Sequence, residues 1–137
     1  MCKVSIIIPN YNHAQFLHER LESIFNQTFQ DFEIILLDDC STDDSVKILS
    51  QYAKHPKVSH FVVNKTNSGS PFKQWKKGIE LARGEYIWIA ESDDYCKLNF
   101  LEQLLSYANK NGLIYAQSYD VDEKGNTFYD RIQYTKQ

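Results

Sequence analysis

Short runs of apolar, often β-branched residues alternate along this chain with longer stretches whose apolar residues recur at helical spacing. The apolar runs cover residues 3–8, 32–37, 58–63, 86–90 and 113–116. Apolar strands that alternate with amphipathic helices are typical of a mostly parallel sheet, because its strands are buried on both faces and joined by right-handed crossovers. The pattern predicts an open, Rossmann-like α/β fold with helices on both faces of the sheet.

The stretches between the runs predict four helices. The first covers residues 14–26, and the second is expected to begin after a capping box formed by Ser41 and Asp44. The third follows the apolar stripe 72–82 and ends at 83–84, and the fourth follows the stripe 98–108 and ends at 111–112. After residue 119 the sequence turns polar, which predicts a hairpin turn over residues 120–126.

Composition limits the classes of protein to consider. The chain has 137 residues, of which 42% are hydrophobic and 24% charged, so we expect a single globular domain spanning 1–137. The net charge is -3, and the densest positive cluster is only Lys76 and Lys77, which argues against nucleic acid as a partner. The apolar runs are too short to cross a membrane, and the segment after Met1 is expected to form a strand and not a signal sequence. We therefore expect a cytoplasmic chain with its three cysteines reduced, and leave open a membrane association of the full protein.

Polar residues follow three of the predicted strands at the point where each strand ends. They read PNYN at 9–12, DDCSTD at 38–43 and ESDD at 91–94. Ligands of open α/β sheets bind outside the carboxyl ends of the strands, so we expect one shared site there. Carboxylates without Cys or His beside them favour Mg²⁺ or Mn²⁺, which bridges carboxylates to substrate phosphates. A single acid could instead cap a helix, but acid pairs at two strand ends exceed what caps require.

Five segments, in their order and spacing, carry a resemblance to the family 2 glycosyltransferases of GT-A fold. They are VSIIIPNYN at 4–12, LDDCSTD at 37–43, NSG at 67–69, GEYI at 84–87 and ESDD at 91–94. The resemblance runs from about residue 4 to residue 122. It implies an enzyme of polysaccharide biosynthesis that transfers a sugar, with inversion, from a nucleoside diphosphate donor, most often a UDP-sugar, to a hydroxyl of a glycan or lipid-linked acceptor.

The resemblance also implies roles for particular residues. The expected nucleotide-binding residues are Pro9, Tyr11, Asn12, Asp38, Asp39 and Lys73. The segment ESDD at 91–94 resembles the family's Asp-x-Asp motif. Glu91 and Asp93 are accordingly expected at the donor sugar and diphosphate, and Asp93 and Asp94 at a Mn²⁺ or Mg²⁺ ion. The catalytic base is expected outside this chain, which would make the chain a donor-binding part that is truncated at its carboxyl end.

The sequence departs from the family pattern in two places. Glu91 stands where many members have Asp, and the segment SPFKQWKKG at 70–78 differs from the usual one and is one residue longer. Trp75 and Trp88 are expected in the core, and His13 is expected to be an ordinary surface histidine. Two alternatives remain open: a module that binds a nucleotide sugar without catalysis, and a phospho-receiver domain, whose acid pair would follow the first strand instead of the second.

Overall fold

A computed structural model of the protein describes residues 2–108, 112–114, 116 and 118–130, with only the backbone for 128–130. The chain divides into two compact units, Met1–Leu101 and Glu102–Gln137. The strands of the first unit are β1 (Val4–Asn10), β2 (Phe32–Asp38), β3 (Val58–Val63) and β4 (Tyr86–Ile89). Its helices are α1 (Ala14–Phe25), α2 (Ser45–Tyr52) and α3 (Pro71–Leu81), and α4 (Phe100–Ser106) begins at its end.

The four strands of the first unit form a parallel sheet in the order β3-β2-β1-β4. The chain moves outward from β1 to β2 to β3 and then crosses back to β4. Right-handed connections therefore place α1 and α2 on one face of the sheet and α3 on the other. In agreement, α1 contacts α2, while α3 packs against β1 and β2. The predicted mostly parallel α/β fold is confirmed.

The core lies around the two central strands. Every residue of β1 and β2 is buried, because helices cover both faces of these strands. Ile7 pairs with Ile35, and both pack with Leu37 against the end of α3 and against β4. The next residues along each strand, such as Ile6 and Ile34, are equally buried and point to the opposite face.

A polar cluster, in which Ser5 and Glu33 are buried and Arg83 is exposed, joins the start of the sheet to the residues after α3. Ser5 pairs with Glu33 across β1 and β2, and Ser5 donates to Glu33 Oε1 at 2.6 Å. Glu33 also accepts the backbone N–H of Arg83 at 2.8 Å and its guanidinium at 3.0 Å. Burial alone would raise the pKa of Glu33, but the hydrogen bonds from Ser5, Ser59 and Arg83 outweigh it and lower the pKa to about 2.

Two expectations from the sequence are wrong. Ser41 and Asp44 form no capping box: the Ser41 hydroxyl donates to Asp38, and α2 begins at Ser45, whose N–H bonds Asp43 instead. The fifth strand is also absent at 113, 114 and 116, where the backbone is irregular and Leu113 is 91% exposed. A short apolar run becomes a strand only beside a partner edge, and none pairs with these residues. Residues 115 and 111, the latter in the predicted helix stop, lie outside the described residues.

The second unit contains an antiparallel hairpin. Strands β5 (Tyr119–Val121) and β6 (Thr127–Asp130) flank the polar segment, so the predicted turn is confirmed. Asp122 shapes this turn, because its carboxylate accepts the backbone N–H groups of Lys124 and Asn126. In the described part of the chain, no helix has both the length and the apolar composition needed to cross a membrane.

Candidate functional site

A cleft of about 370 Å³ opens at the carboxyl ends of β1, β2 and β4. Its lining includes Pro9 at the end of β1, Tyr11 just after β1, Asp39 after β2 and Glu91 after β4, together with His13 and with Gln74 from α3. The sheet edge thus brings together four of the residues that the sequence singled out. Asn12, Asp38 and Lys73 do not line the cleft, and neither do Asp93 and Asp94.

Hydrogen bonds connect the ends of β1 and β2 and the loops that follow them. Asn10 donates to Asp38 at 2.8 Å, and Asp38 accepts both the N–H and the hydroxyl of Ser41. Asn12 adopts a positive φ of 54°, which Asn tolerates better than most residues, and its Oδ1 accepts the N–H of Thr42 at 2.7 Å. Asp38 and Asn12 therefore fix the two loops.

Asp39 connects the second strand with the loop that follows β3. Its Oδ1 accepts the N–H of Ser68 at 2.8 Å and the amide of Asn64 at 2.7 Å, and its Oδ2 accepts the Ser68 hydroxyl at 2.7 Å. Burial would raise the pKa of Asp39, yet these hydrogen bonds lower it below its usual value. Asp39 is therefore an anion at neutral pH, and it holds the loop that forms one side of the cleft.

A chain of hydrogen bonds orients Gln74 at the cleft. Lys77 donates to Asn64 Oδ1 at 2.6 Å, so the Asn64 amide points to Asp39 and to Gln74 Oε1, the latter at 3.0 Å. This network leaves Gln74 Nε2 as a buried donor with no hydrogen-bond partner among the described residues. An unsatisfied buried donor costs about 1–3 kcal/mol, so Gln74 is a residue that a bound ligand or an ordered water would satisfy.

The acidic residues of the turn after β4 differ in their burial: Glu91 is partly buried, whereas Asp93 and Asp94 are exposed. Glu91 is half-buried in the cleft lining and accepts the indole N–H of Trp75 at 2.8 Å. Burial raises the pKa of Glu91 and the charges of Asp93 and Asp94 raise it further, against the opposing effect of Trp75. Asp93 is about half-exposed, and the N–H of Asp94 donates to the Glu91 carbonyl at 3.3 Å. Within the described residues, no group of three or more His, Cys, Asp or Glu side chains is arranged to hold a metal ion.

His13 remains partly exposed, but it also has contacts that the sequence did not predict. Its Nδ1 lies 2.8 Å from the hydroxyl of Ser92, which is fully buried, and its Nε2 lies 4.0 Å from Asp93 Oδ2. The histidine therefore connects the loop after β1 with the acidic turn after β4. Nothing in the spacing of the sequence linked His13 to Ser92, because 79 residues separate them.

Arg20 is a buried cation behind the acidic turn. The sequence did not single it out as a residue of the site. It is only 4% exposed, and its guanidinium lies 5.3 Å from the centre of the Trp88 ring. Burial lowers the pKa of Arg20, while electrostatic interactions with Cys96 and with the carboxylates of Asp94, Asp93 and Glu91 oppose that shift. A signal was present, because Arg20 lies between Leu17 and Ile24 at helical spacing, on the buried face of α1.

A parallel sheet with acidic residues at the carboxyl ends of its strands defines an α/β protein with a ligand site at that edge. The sequence matches the model of glycosyl transferase family 2 over residues 5–136. The chain therefore belongs to glycosyltransferase family 2, and its fold is the GT-A fold of those enzymes.

Individual relatives support the same assignment. A poly(ribitol-phosphate) beta-glucosyltransferase of Bacillus spizizenii is 40% identical over 111 residues, which cover 80% of this chain and 18% of that protein. The structure of S. aureus TarS 1-349 in complex with UDP superposes with a TM-score of 0.69 at 34% identity, over 77% of this chain and 31% of that chain. TarS 1-349 in complex with UDP-GlcNAc superposes with the same TM-score of 0.69, at 33% identity over 77% of this chain and 30% of that chain.

A more distant neighbour contains a metal ion. It is the mannosyltransferase PcManGT from Pyrobaculum calidifontis in complex with GDP-Man and Mn²⁺, with a TM-score of 0.61 at 26% identity over 69% of this chain and 28% of that chain. The chain spans less than a third of the length of each of these proteins.

Proposed function

We propose that this chain is the donor-binding part of an inverting glycosyltransferase that uses a nucleoside diphosphate sugar, with UDP as the carrier. The observation that carries the proposal is the cleft at the carboxyl ends of β1, β2 and β4, which contains Tyr11, Asp39 and Glu91. Family membership and the nucleotide complexes of the structural neighbours support it. The acceptor is proposed to be the hydroxyl of a glycan or lipid-linked polymer, and the setting polysaccharide biosynthesis on the cytoplasmic side.

The nucleoside is proposed to lie against the loops after β1 and β2. Tyr11 is 47% exposed beside Pro9, so its ring offers a face on which a base can stack. Asp39 is an ionised acceptor for polar groups of the base or ribose. Asp38 and Asn12 contribute by fixing these loops, since their side chains bond to Ser41 and Thr42.

The diphosphate is proposed to lie near the acidic turn after β4. Mg²⁺ and Mn²⁺ typically use one or two carboxylates and complete their coordination with substrate phosphates and water, so Asp93 and Asp94 fit such an ion without a third protein ligand. When bound, the ion would act as a Lewis acid that neutralises the departing nucleoside diphosphate. Lys73 donates to the Ser68 carbonyl at 3.1 Å and is proposed as a further diphosphate contact from the adjacent loop.

The second candidate is a module that binds the nucleotide sugar without catalysing transfer. It is favoured by the short span of the chain relative to its relatives. The acceptor site and the catalytic base would then belong to residues outside this chain. Transfer assays on this chain and on a longer form of the protein separate the two candidates, because turnover of the donor by this chain alone contradicts a module that only binds.

Calorimetric titration with UDP and Mn²⁺ tests the proposed nucleotide site through the variant Asp39→Asn. Removal of the charge weakens hydrogen bonds that Asp39 makes to the ligand and to Ser68, so we expect the dissociation constant for UDP to rise about tenfold or more, which corresponds to at least about 1.4 kcal/mol.

Asp31→Asn is the matched control for that titration, because Asp31 precedes the same strand β2 at the opposite end and is exposed. This control variant should bind UDP like the unmodified chain. Equal UDP affinity in the Asp39→Asn and Asp31→Asn variants would remove Asp39 from the nucleotide site.

A further inference from the structure

The two places where the sequence departs from the family pattern contact each other in the structure. Glu91 stands where many members have Asp, and the segment at 70–78 differs from the usual one. Trp75 belongs to that segment and donates its indole N–H to Glu91 Oε1 at 2.8 Å. A Glu side chain is one methylene longer than that of Asp. Glu91 after β4 is therefore long enough to contact Trp75 in α3.

Contacts other than the bond to Glu91 hold the indole ring of Trp75 and its helix in place. Trp75 lies in α3, and the ring of Phe72 meets it edge to face, with centroids 5.0 Å apart and planes at 80°. Its neighbour Gln74 is 3% exposed and bonded to Asn64. The helix also packs closely on β1 at Gly78, where a Cβ atom would lie 2.4 Å from Cγ2 of Ile7. The position of α3 therefore does not depend on the bond from Trp75 to Glu91, and the bond acts mainly on Glu91.

The bond determines how the Glu91 carboxylate is presented in the cleft. Glu91 shares its turn with Asp93 and Asp94, whose charges repel it. Without a donor, the carboxylate would be expected to turn away from them towards solvent. Trp75 occupies Oε1, and Oε2 accepts no hydrogen bond from the described residues. A neutral indole donor fixes the carboxylate without cancelling its charge, which leaves one oxygen able to accept a hydrogen bond from a ligand.

We propose that Trp75 is a positioning residue that orients Glu91 so that its second carboxylate oxygen accepts a hydroxyl of the donor sugar. The inference rests on the proposed donor site. It concerns the sugar and not the nucleoside, because Glu91 belongs to the turn after β4, whereas Tyr11 and Asp39 follow β1 and β2. Trp75 would then influence which sugar is accepted, although it acts only through Glu91.

Binding of UDP and of two UDP-sugars separates this role from a general structural one. Calorimetry is done with Mn²⁺ and with UDP, UDP-glucose and UDP-N-acetylglucosamine, on the unmodified chain and on Trp75→Phe, Glu91→Asp and the double variant. We expect UDP affinity to stay within about twofold and affinity for at least one UDP-sugar to fall about tenfold in each single variant. The double variant should be no weaker than the weaker single variant, because both changes remove the same bond.

The control for these titrations is Lys76→Ala, an exposed change in the same helix that should alter neither affinity. An unchanged ratio of UDP-sugar to UDP affinity in Trp75→Phe overturns the proposal. Equal weakening of UDP and UDP-sugar binding also overturns it, since Trp75 would then support the fold of the whole cleft.

The indole resonances test the bond independently of any nucleotide. The chain has two tryptophans, so a ¹⁵N spectrum contains two indole N–H signals, and Trp75→Phe assigns them. Glu91→Asp should move the Trp75 signal towards that of an unbonded indole, while Glu91→Gln should move it less because an amide oxygen still accepts. If Glu91→Asp leaves the Trp75 indole signal at the same position, the positioning role is overturned. If the signal responds but no nucleotide binds, the donor site is wrong and the pair is structural.

Discussion

At the scale of single residues, Glu33 shows how a charge is accommodated inside a sheet. Glu33 is only 5% exposed, and its carboxylate accepts hydrogen bonds from Ser5 and from both the backbone N–H and the guanidinium of Arg83. Burial of a charge without such partners is strongly unfavourable. The ion pair and its hydrogen bonds keep the carboxylate ionised, with its pKa lowered to about 2.

This lowered pKa predicts an acid-dependent loss of stability. Because the pKa of Glu33 is lower in the folded chain than in the unfolded chain, the stabilisation is complete above about pH 4.5 and is lost as the pH falls towards 2. Glu33→Gln should unfold at lower urea concentration than the unmodified chain at pH 7, and the difference should shrink below about pH 4.5. Urea unfolding across that pH range measures it.

The control for the acid series is Glu80→Gln, which changes an exposed glutamate in α3. Its urea midpoint should follow that of the unmodified chain at every pH. A difference between Glu33→Gln and the unmodified chain that stays constant from pH 7 to pH 3 would show that Glu33 titrates normally.

Residue roles were only partly predictable from sequence. The pair Asp38 and Asp39 was assigned to the site because both follow the predicted strand at 32–37, but the structure gives them different surroundings. Asp38 bonds to Asn10 and Ser41 beneath the loops, whereas Asp39 lines the cleft. Strand alternation predicts opposite directions for adjacent residues. Which of the two acids faces the ligand depends on contacts with the loop after β3. That loop is distant from both acids in the sequence, so its contacts could not be predicted.

At the scale of elements, close packing of α3 on β1 depends on a glycine. A Cβ atom at Gly78 would lie 2.4 Å from Cγ2 of Ile7, which is fully buried in the central strand. Glycine is a poor residue for a helix interior, so its presence in α3 is explained by this approach. The short distance lets the helix contribute Gln74 to the cleft from one turn earlier.

Gly78→Ala should therefore destabilise the chain despite the better helix propensity of alanine. The propensity gain is about 1 kcal/mol, and overpacking of a core typically costs about 1–3 kcal/mol. The side chain of Ile7 is fully buried and three of its atoms would lie within 3.0 Å of the new Cβ, so we expect the clash to exceed the gain and the Tm to fall. Glu80→Ala is the matched exposed control in the same helix and should change the Tm little. A Tm equal to or above that of the unmodified chain would contradict the close contact.

The elements of the first unit were predictable because the pattern of each one is long or strongly apolar. The runs at 32–37 and 58–63 match β2 and β3 to within a residue, and α1 to α3 lie where the helical periods predict them. The strand predicted at 113–116 was wrong because four apolar residues are too few to show a period. Whether such a run forms a strand depends on a partner strand. The capping box did not form because the Ser41 hydroxyl accepts the N–H of Asn12 and donates to Asp38, and because α2 begins only at Ser45.

At the scale of the whole molecule, the acids at the sheet edge are balanced in two ways. The sequence predicted only a bound cation as compensation for the acids. The structure adds a resident one, since Arg20 is buried behind the turn that contains Glu91, Asp93 and Asp94. Asp39 is balanced separately by hydrogen bonds and by the charge of Lys77. A bound metal ion is therefore expected near the exposed Asp93, where a diphosphate would also lie.

The central claim is that the cleft at the carboxyl ends of β1, β2 and β4 binds a nucleoside diphosphate. Thermal unfolding in the presence of UDP and Mn²⁺ tests it most directly. A ligand that binds only the folded chain stabilises it by about 2.7 kcal/mol at a hundredfold excess over the dissociation constant. We expect the Tm to rise with UDP concentration, and to rise less in the Asp39→Asn variant. An unchanged Tm with UDP and with every other nucleoside diphosphate would contradict the assignment of this cleft.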